Sequence, residues 1–206
     1  MKPIINSLYR FKLSMRGYAY CRLIPVSTEH QQFQYLAQVF DYHTKDNNSS
    51  RNLIPDILKS GYLMHPVPIR LPQMQRGFGS WKFICELPLD NYVPEYKFTP
   101  EQLGSDESEI SAWYSYCPIS NKKQKKHKYQ NIKHLEHFHI YTPEELAIRT
   151  TMEILKKENM KIPIFFDMED PSQLNNYYRT INMPLYADIP FNIIGKASNT
   201  AKKTSP

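Results

Sequence analysis

Six lysines, Lys122, Lys123, Lys125, Lys126, Lys128 and Lys133, fall within twelve residues of one another. Like charges at that density repel and hold a segment open unless phosphates neutralise them. Tyr129 is interleaved among them and offers a ring on which a base can stack. A few residues on, His137 and His139 flank Phe138. On a strand, alternate residues share a face, so the two imidazoles would point together and could ligate one divalent ion. Tyr177 and Tyr178 follow in "LNNYYRT"; a phenol attacking a phosphate would leave a covalent phosphotyrosine link. His30 is a further candidate. A neutral imidazole beside a 2′-hydroxyl can serve as general base without a metal.

The stretch "RGFGSWKF" (76–83) adds glycines, aromatics and an arginine in close order. Glycines let a nucleotide approach the backbone, sheet-borne aromatics stack on bases, and arginine meets phosphate. Arg76, Gly77, Phe78, Gly79 and Phe83 make it resemble the first ribonucleoprotein signature of RNA-recognition domains, from which Ser80 and Trp81 depart. That resemblance implies an RNA-binding surface carried by Arg76, Phe78 and Trp81. The triplet His137-Phe138-His139 resembles the strand motif of HUH single-strand endonucleases. It implies a Mn²⁺ or Mg²⁺ site at His137 and His139, with Tyr177 or Tyr178 as nucleophile. Tyr42, His43, Thr44 and Gly61 are similar in order to the opening of ADP-ribosyltransferase toxins. The glutamate that family needs is equally assignable to Glu86, Glu95 or Glu136. His30 is similarly placed to the histidine of CRISPR repeat-processing endoribonucleases, early in the chain on a ferredoxin-like body.

The elements that must position these groups are read from periodicity and caps. "YAYCRLIPV" (18–26) is rich in strand formers. Residues 27–43 show a capping box at Thr28 and Gln31, then Phe33, Leu36, Ala37 and Phe40 at helical spacing, which predicts a helix. Residues 53–63 predict a short helix with Pro55 near its start and Gly61 as its stop. The alternating prolines of 62–72 exclude a central strand and permit an edge. A strand is expected over 79–89, irregular chain over 90–112, and a loop over 122–128. A strand over 133–141 then leads into a helix from Thr142, with Pro143 at its first position and Glu145 closing a capping box. "KIPIFFD" (161–167) reads as a buried strand and 170–181 as a short helix.

The totals set the bounds. The chain has 206 residues, 41% hydrophobic, 16 prolines, 6 glycines and a net charge of +6. That is enough for one core and too apolar for a disordered chain. A basic balance suits nucleic acid or an acidic protein surface. No apolar run is long enough to span a membrane, and the N-terminal segment lacks the apolar centre of a secretory signal. The three cysteines are dispersed and form no paired metal motif, which fits a reducing compartment and a cytoplasmic protein.

The expected fold is α+β, an antiparallel or mixed sheet with helices on one face, ferredoxin-like in outline. It would fill residues 1–195 as a single domain, with a basic loop at 120–130 and a flexible tail over 196–206. The expected function is nucleic-acid binding, single-stranded RNA ahead of DNA, with other protein subunits as partners if the chain belongs to a larger nucleoprotein complex. No cofactor is expected unless the metal-dependent single-strand DNA endonuclease is the true alternative. An ADP-ribosyltransferase-like toxin and a basic protein-interaction module remain the further alternatives.

Overall fold

A computed structural model of the chain describes residues 6–25, 35–46, 51–70, 81–88, 96–98, 112–116 and 125–189. The first sheet comprises β1 (Ser7–Lys12), β2 (Tyr18–Pro25), β3 (Tyr35–Thr44), β4 (Val67–Ile69) and β5 (Lys82–Glu86). Their order is β4-β3-β2-β1-β5, antiparallel throughout. A tight hairpin joins β1 to β2, closed by the amide of Leu13 donating to the carbonyl of Gly17 at 2.9 Å. Gly17 sits at φ +90° against the backbone of Thr44 and Lys45, so any Cβ there would meet the left-handed penalty and a collision together. A ferredoxin-like outline would require a helix between these two strands; here the hairpin takes its place.

Alternation divides the strands between two faces. Tyr9, Phe11, Cys21, Leu23 and Val39 pack against Leu146 and Ile154 of the long helix α3 (Pro143–Lys157). Leu8, Tyr20 and Phe40 pack on the other face against Ile57 of α1 (Ile54–Lys59). Helices therefore cover both faces, which corrects the one-sided arrangement expected. β3 corrects a second expectation: residues 35–43 of the helix expected over 27–43 form a strand, and residues 27–34, with the cap at Thr28 and Gln31, lie outside the described residues. The first six residues of β3, Tyr35 to Phe40, are all buried, because β3 lies between two strands and under both layers. Such a strand is apolar on both faces, here interrupted only by the buried Gln38, and does not alternate.

Other elements fall where the sequence places them. α1 carries Pro55 at its first turn and is stopped by Gly61 at φ +79°. β4 is an edge strand in which Pro68 is accommodated. α3 opens with the expected capping box: Thr142 Oγ1 accepts from the Glu145 amide at 3.2 Å, and Glu145 accepts from the Thr142 amide at 2.8 Å. Lys156 and Lys157 lie in its last turn, where cations suit the helix dipole.

The second sheet was not legible. It contains β6 (Tyr96–Phe98), β7 (Trp113–Tyr116), β8 (Lys125–His127) and β9 (Glu136–His137) in the order β8-β7-β6-β9, with β6 and β9 parallel. Part of the segment expected to be irregular is thus a strand, and so is part of the expected basic loop. The strand expected over 133–141 shrinks to two residues, plus an isolated bridge from Tyr141 to Ile69 that ties the segment after β9 to β4. A four-residue helix, α2 (Tyr129–Ile132), fills the gap between β8 and β9. "KIPIFFD" makes a 3-10 turn at Ile162–Ile164, not a strand. It is followed by α4 (Pro171–Asn182), capped by Asp170, which accepts from the amides of Ser172 and Gln173. The whole is α+β with an antiparallel and a mixed sheet. Among the described residues no helix is long and apolar enough to cross a membrane. Cys21 is buried and its thiol pKa is raised by burial; Cys85 is half-buried, and both are free thiols.

Candidate nucleic-acid interface and the buried charges behind it

β8 is an outer strand of its sheet, and three residues of β7 fix its register: Trp113 opposite His127, Tyr114 opposite Lys126, and Ser115 opposite Lys125. Directly opposed residues share a face, so Lys126 and the half-exposed Tyr114 stand together. Ser115 Oγ and His127 Nε2 are 2.8 Å apart and pin the strand from the other side. Lys125, Lys126 and Lys128 are exposed. Lys126 stands beside the tyrosine, and Lys125, opposite Ser115, carries the cationic edge onto the other face. Tyr114 was missed by the sequence reading, because only the β7–β8 register brings it to the lysines.

Tyr129 is half-buried and has partners inside the protein. Its ring lies 5.1 Å from that of Trp113, and Lys97 extends its ammonium to 5.4 Å and 5.5 Å from the two rings. Lys97 is wholly buried and donates to the carbonyl of Lys133 at 3.0 Å. Tyr129 is therefore one wall of an aromatic cage around an internal cation, an arrangement that offsets part of the cost of burying an ammonium. His137 is buried beneath the same cage, its ring 5.6 Å from Trp113.

On the opposite side of β9, Glu136 meets Arg149 of α3. Arg149 is fully buried; its Nη2 is 3.1 Å from Glu136 Oε2 and 2.8 Å from Glu153 Oε1. Its Nε donates to Glu153 at 2.9 Å, and its Nη1 donates to the hydroxyl of Tyr141 at 3.2 Å. Burial pushes the carboxyl of Glu136 upward, but Arg149, with His65, His137 and Lys97 behind it, outweighs burial and leaves the pKa lowered. At Glu153 burial prevails over the same guanidinium and the pKa is raised. Burial likewise lowers His65 to about 4, against the pull of Glu136, leaving a neutral ring edge-on to Tyr186 at 5.0 Å. The joint between second sheet, first sheet and α3 is thus a polar core whose parts depend on one another.

The remaining candidates scatter. β9 ends at His137, so the two-histidine strand face expected is not formed. His139 turns instead to Glu145, 3.6 Å away, and stands edge-on to Tyr141. Among the described residues no group of three or more His, Cys, Asp or Glu side chains is arranged to hold a metal ion. Tyr177 and Tyr178 lie on α4, and Tyr177 flanks Lys156 near the far end of α3. Eleven residues of helix separate Lys156 from Glu145, a rise of about 16 Å, so the candidate ligand and nucleophile are not neighbours. Trp81 is another correction: it is 8% exposed and stacked on Phe11 at 5.0 Å, a core ring and not a stacking platform. Phe83 is 40% exposed on β5.

Tyr42 contributes to the core under α1, and Thr44 lies 3.3 Å from the hydroxyl of Tyr20. His43 and Glu86 are exposed, Glu136 is taken by Arg149, and Gly61 serves as a helix stop. His30, Arg76, Phe78, Glu95, Lys122 and Lys123 lie outside the described residues, as does the tail. No protein-family model matches this chain, and neither does any curated protein or any solved structure.

Proposed function

We propose that the chain binds single-stranded nucleic acid along β8, with Lys125, Lys126 and Lys128 meeting phosphates and Tyr114 stacking on a base. The observation that carries this reading is the cross-strand pairing of Lys126 with Tyr114 at an exposed, lysine-bearing edge. A ring beside an ammonium group, with further cations along the same edge, is the combination that single-strand binders use, because stacking tolerates any base and cations track the backbone. The net charge of +6 favours the same partner. RNA is placed ahead of DNA on the resemblance of residues 76–83 to the ribonucleoprotein signature, of which Phe83 stands exposed. Lysines on an edge strand also guard against strand-to-strand aggregation, and the ring distinguishes the two roles. Tyr114→Ala should weaken binding to labelled single-stranded RNA by about 1–3 kcal/mol, while Tyr114→Phe should bind nearly as the parent does. Equal affinity for all three proteins would refute the stacking role.

A further inference from the structure

α4 buries polar residues most deeply and leaves part of an apolar stripe at the surface. Leu174, Tyr177, Tyr178 and Ile181 recur at i, i+3, i+4 and i+7, the spacing of an apolar stripe. The residues it buries are instead Asn176, Arg179 and Thr180, on the opposite side. Thr180 donates to the carbonyl of Asn176, and the carbonyls of Thr180 and Met183 accept from Lys156, so the polar face is locked to α3. Of the apolar stripe, Tyr177 packs against Met152, Leu155 and Ile162, Leu174 and Tyr178 are half-buried, and Ile181 is exposed.

Tyr177 and Ile181 of that stripe border an open groove of about 540 Å³ between the end of α3, the Ile162–Ile164 turn and α4. Three of the four large hydrophobic side chains exposed among the described residues line it: Ile164 at 73%, Ile181 at 43% and Met160 at 36%. Its charged members are Lys156 and Lys161, and no carboxylate lines it. Beside it, Glu158 is neutralised by Arg16 at 3.0 Å, and Arg16 also reaches the sulfur of Met160. The groove is therefore apolar, with the exposed Lys161 at its rim, while the Lys156 ammonium is held by the carbonyls of Thr180 and Met183. A second copy of the chain would bring the same lysine to face its own kind. A helix with an apolar stripe flanked by carboxylates would fill the groove and meet the rim with opposite charge.

We propose that this groove is a docking site for an acidic amphipathic helix of another protein, separate from the nucleic-acid edge. The probe is a capped peptide of about 18 residues, long enough to hold a helix, with leucines at i, i+3, i+4 and i+7 and flanking glutamates. A second peptide replaces the glutamates with lysines. Binding is read by fluorescence anisotropy on the full chain. The acidic peptide should bind saturably and the basic one should not. Ile181→Asp and Ile164→Asp should each weaken it roughly tenfold or more, and Lys161→Glu should reverse the preference. Both isoleucines are exposed, so circular dichroism and melting temperature should stay those of the parent. The Lys125, Lys126 and Lys128 glutamine variant should keep full peptide affinity, which separates this site from β8. Failure of both peptides to bind, or equal binding of both, overturns the proposal. So does a dimer by light scattering that Ile181→Asp dissociates, or binding to anionic vesicles that Ile164→Asp abolishes.

Discussion

Arg149→Met would remove the guanidinium that two buried carboxylates share while keeping most of the side chain's volume. Glu136 and Glu153 would then be left in the interior without their main counter-charge, and the Tyr141 hydroxyl would lose the donor at 3.2 Å. Breaking a buried pair from one side costs about 3–5 kcal/mol, which is a large part of a domain's total stability. For a chain of this size that should lower the melting temperature by about 6–20 °C. The pH dependence makes the test specific. In the parent, the folded pKa of Glu136 is lowered, so its contribution is present above pH 4.5 and fades as pH falls below it. Glu153 has a raised folded pKa, so ionising it at neutral pH costs stability. Without Arg149 both carboxyls would titrate upward and bind protons on folding. The deficit of Arg149→Met relative to the parent should therefore shrink between pH 7 and pH 5. Urea unfolding of both proteins at the two pH values measures it. A deficit under about 1 kcal/mol, or one that grows toward pH 5, would refute the paired-network account.

Two further outcomes follow from the interior. His65 has its pKa lowered from 6.5 to about 4 by burial, which corresponds to about 3 kcal/mol. A depressed pKa means that this stability is present above pH 6.5 and lost as pH falls toward 4. His65→Phe should flatten that acid limb in urea titrations, and an unchanged limb would assign the acid sensitivity elsewhere. Trp81→Ala should cost about 3–5 kcal/mol of stability through its stack on Phe11. The surviving folded protein should bind RNA as the parent does; a loss of affinity without a loss of stability would return Trp81 to the binding surface.

What the sequence disclosed, and what it withheld, follows the range of each interaction. The capping box of α3, the stop at Gly61 and the edge placement of the prolines near β4 depend on residues a few positions apart, and all were legible. β3 was misread because its buried run, Tyr35 to Phe40, has no polar face to reveal a period of two, and helical spacing can be found in any such run. The 133–141 segment was misread because strand-forming residues need a partner strand, and β6 offers one only to Glu136 and His137. Arg149 and Glu153 are an i, i+4 pair visible on α3, whereas Glu136, the third member, arrives only through the fold. The same reason hid Tyr114 from its lysines. That α4 buries Asn176, Arg179 and Thr180 was hidden too, since an apolar stripe in a sequence does not say which polar residues the fold will cover.

The central claim is that the lysines of β8 neutralise phosphates. Its most direct test is the affinity for labelled single-stranded RNA over a salt series, in the parent and in a protein with Lys125, Lys126 and Lys128 replaced by glutamine. Each phosphate contact on a single strand adds about 0.7 to the slope of log affinity against log salt. The triple variant should therefore bind more weakly at low salt and show a slope shallower by about 2. Unchanged affinity and unchanged slope would mean that these lysines are solvated and that nucleic acid does not bind along this edge.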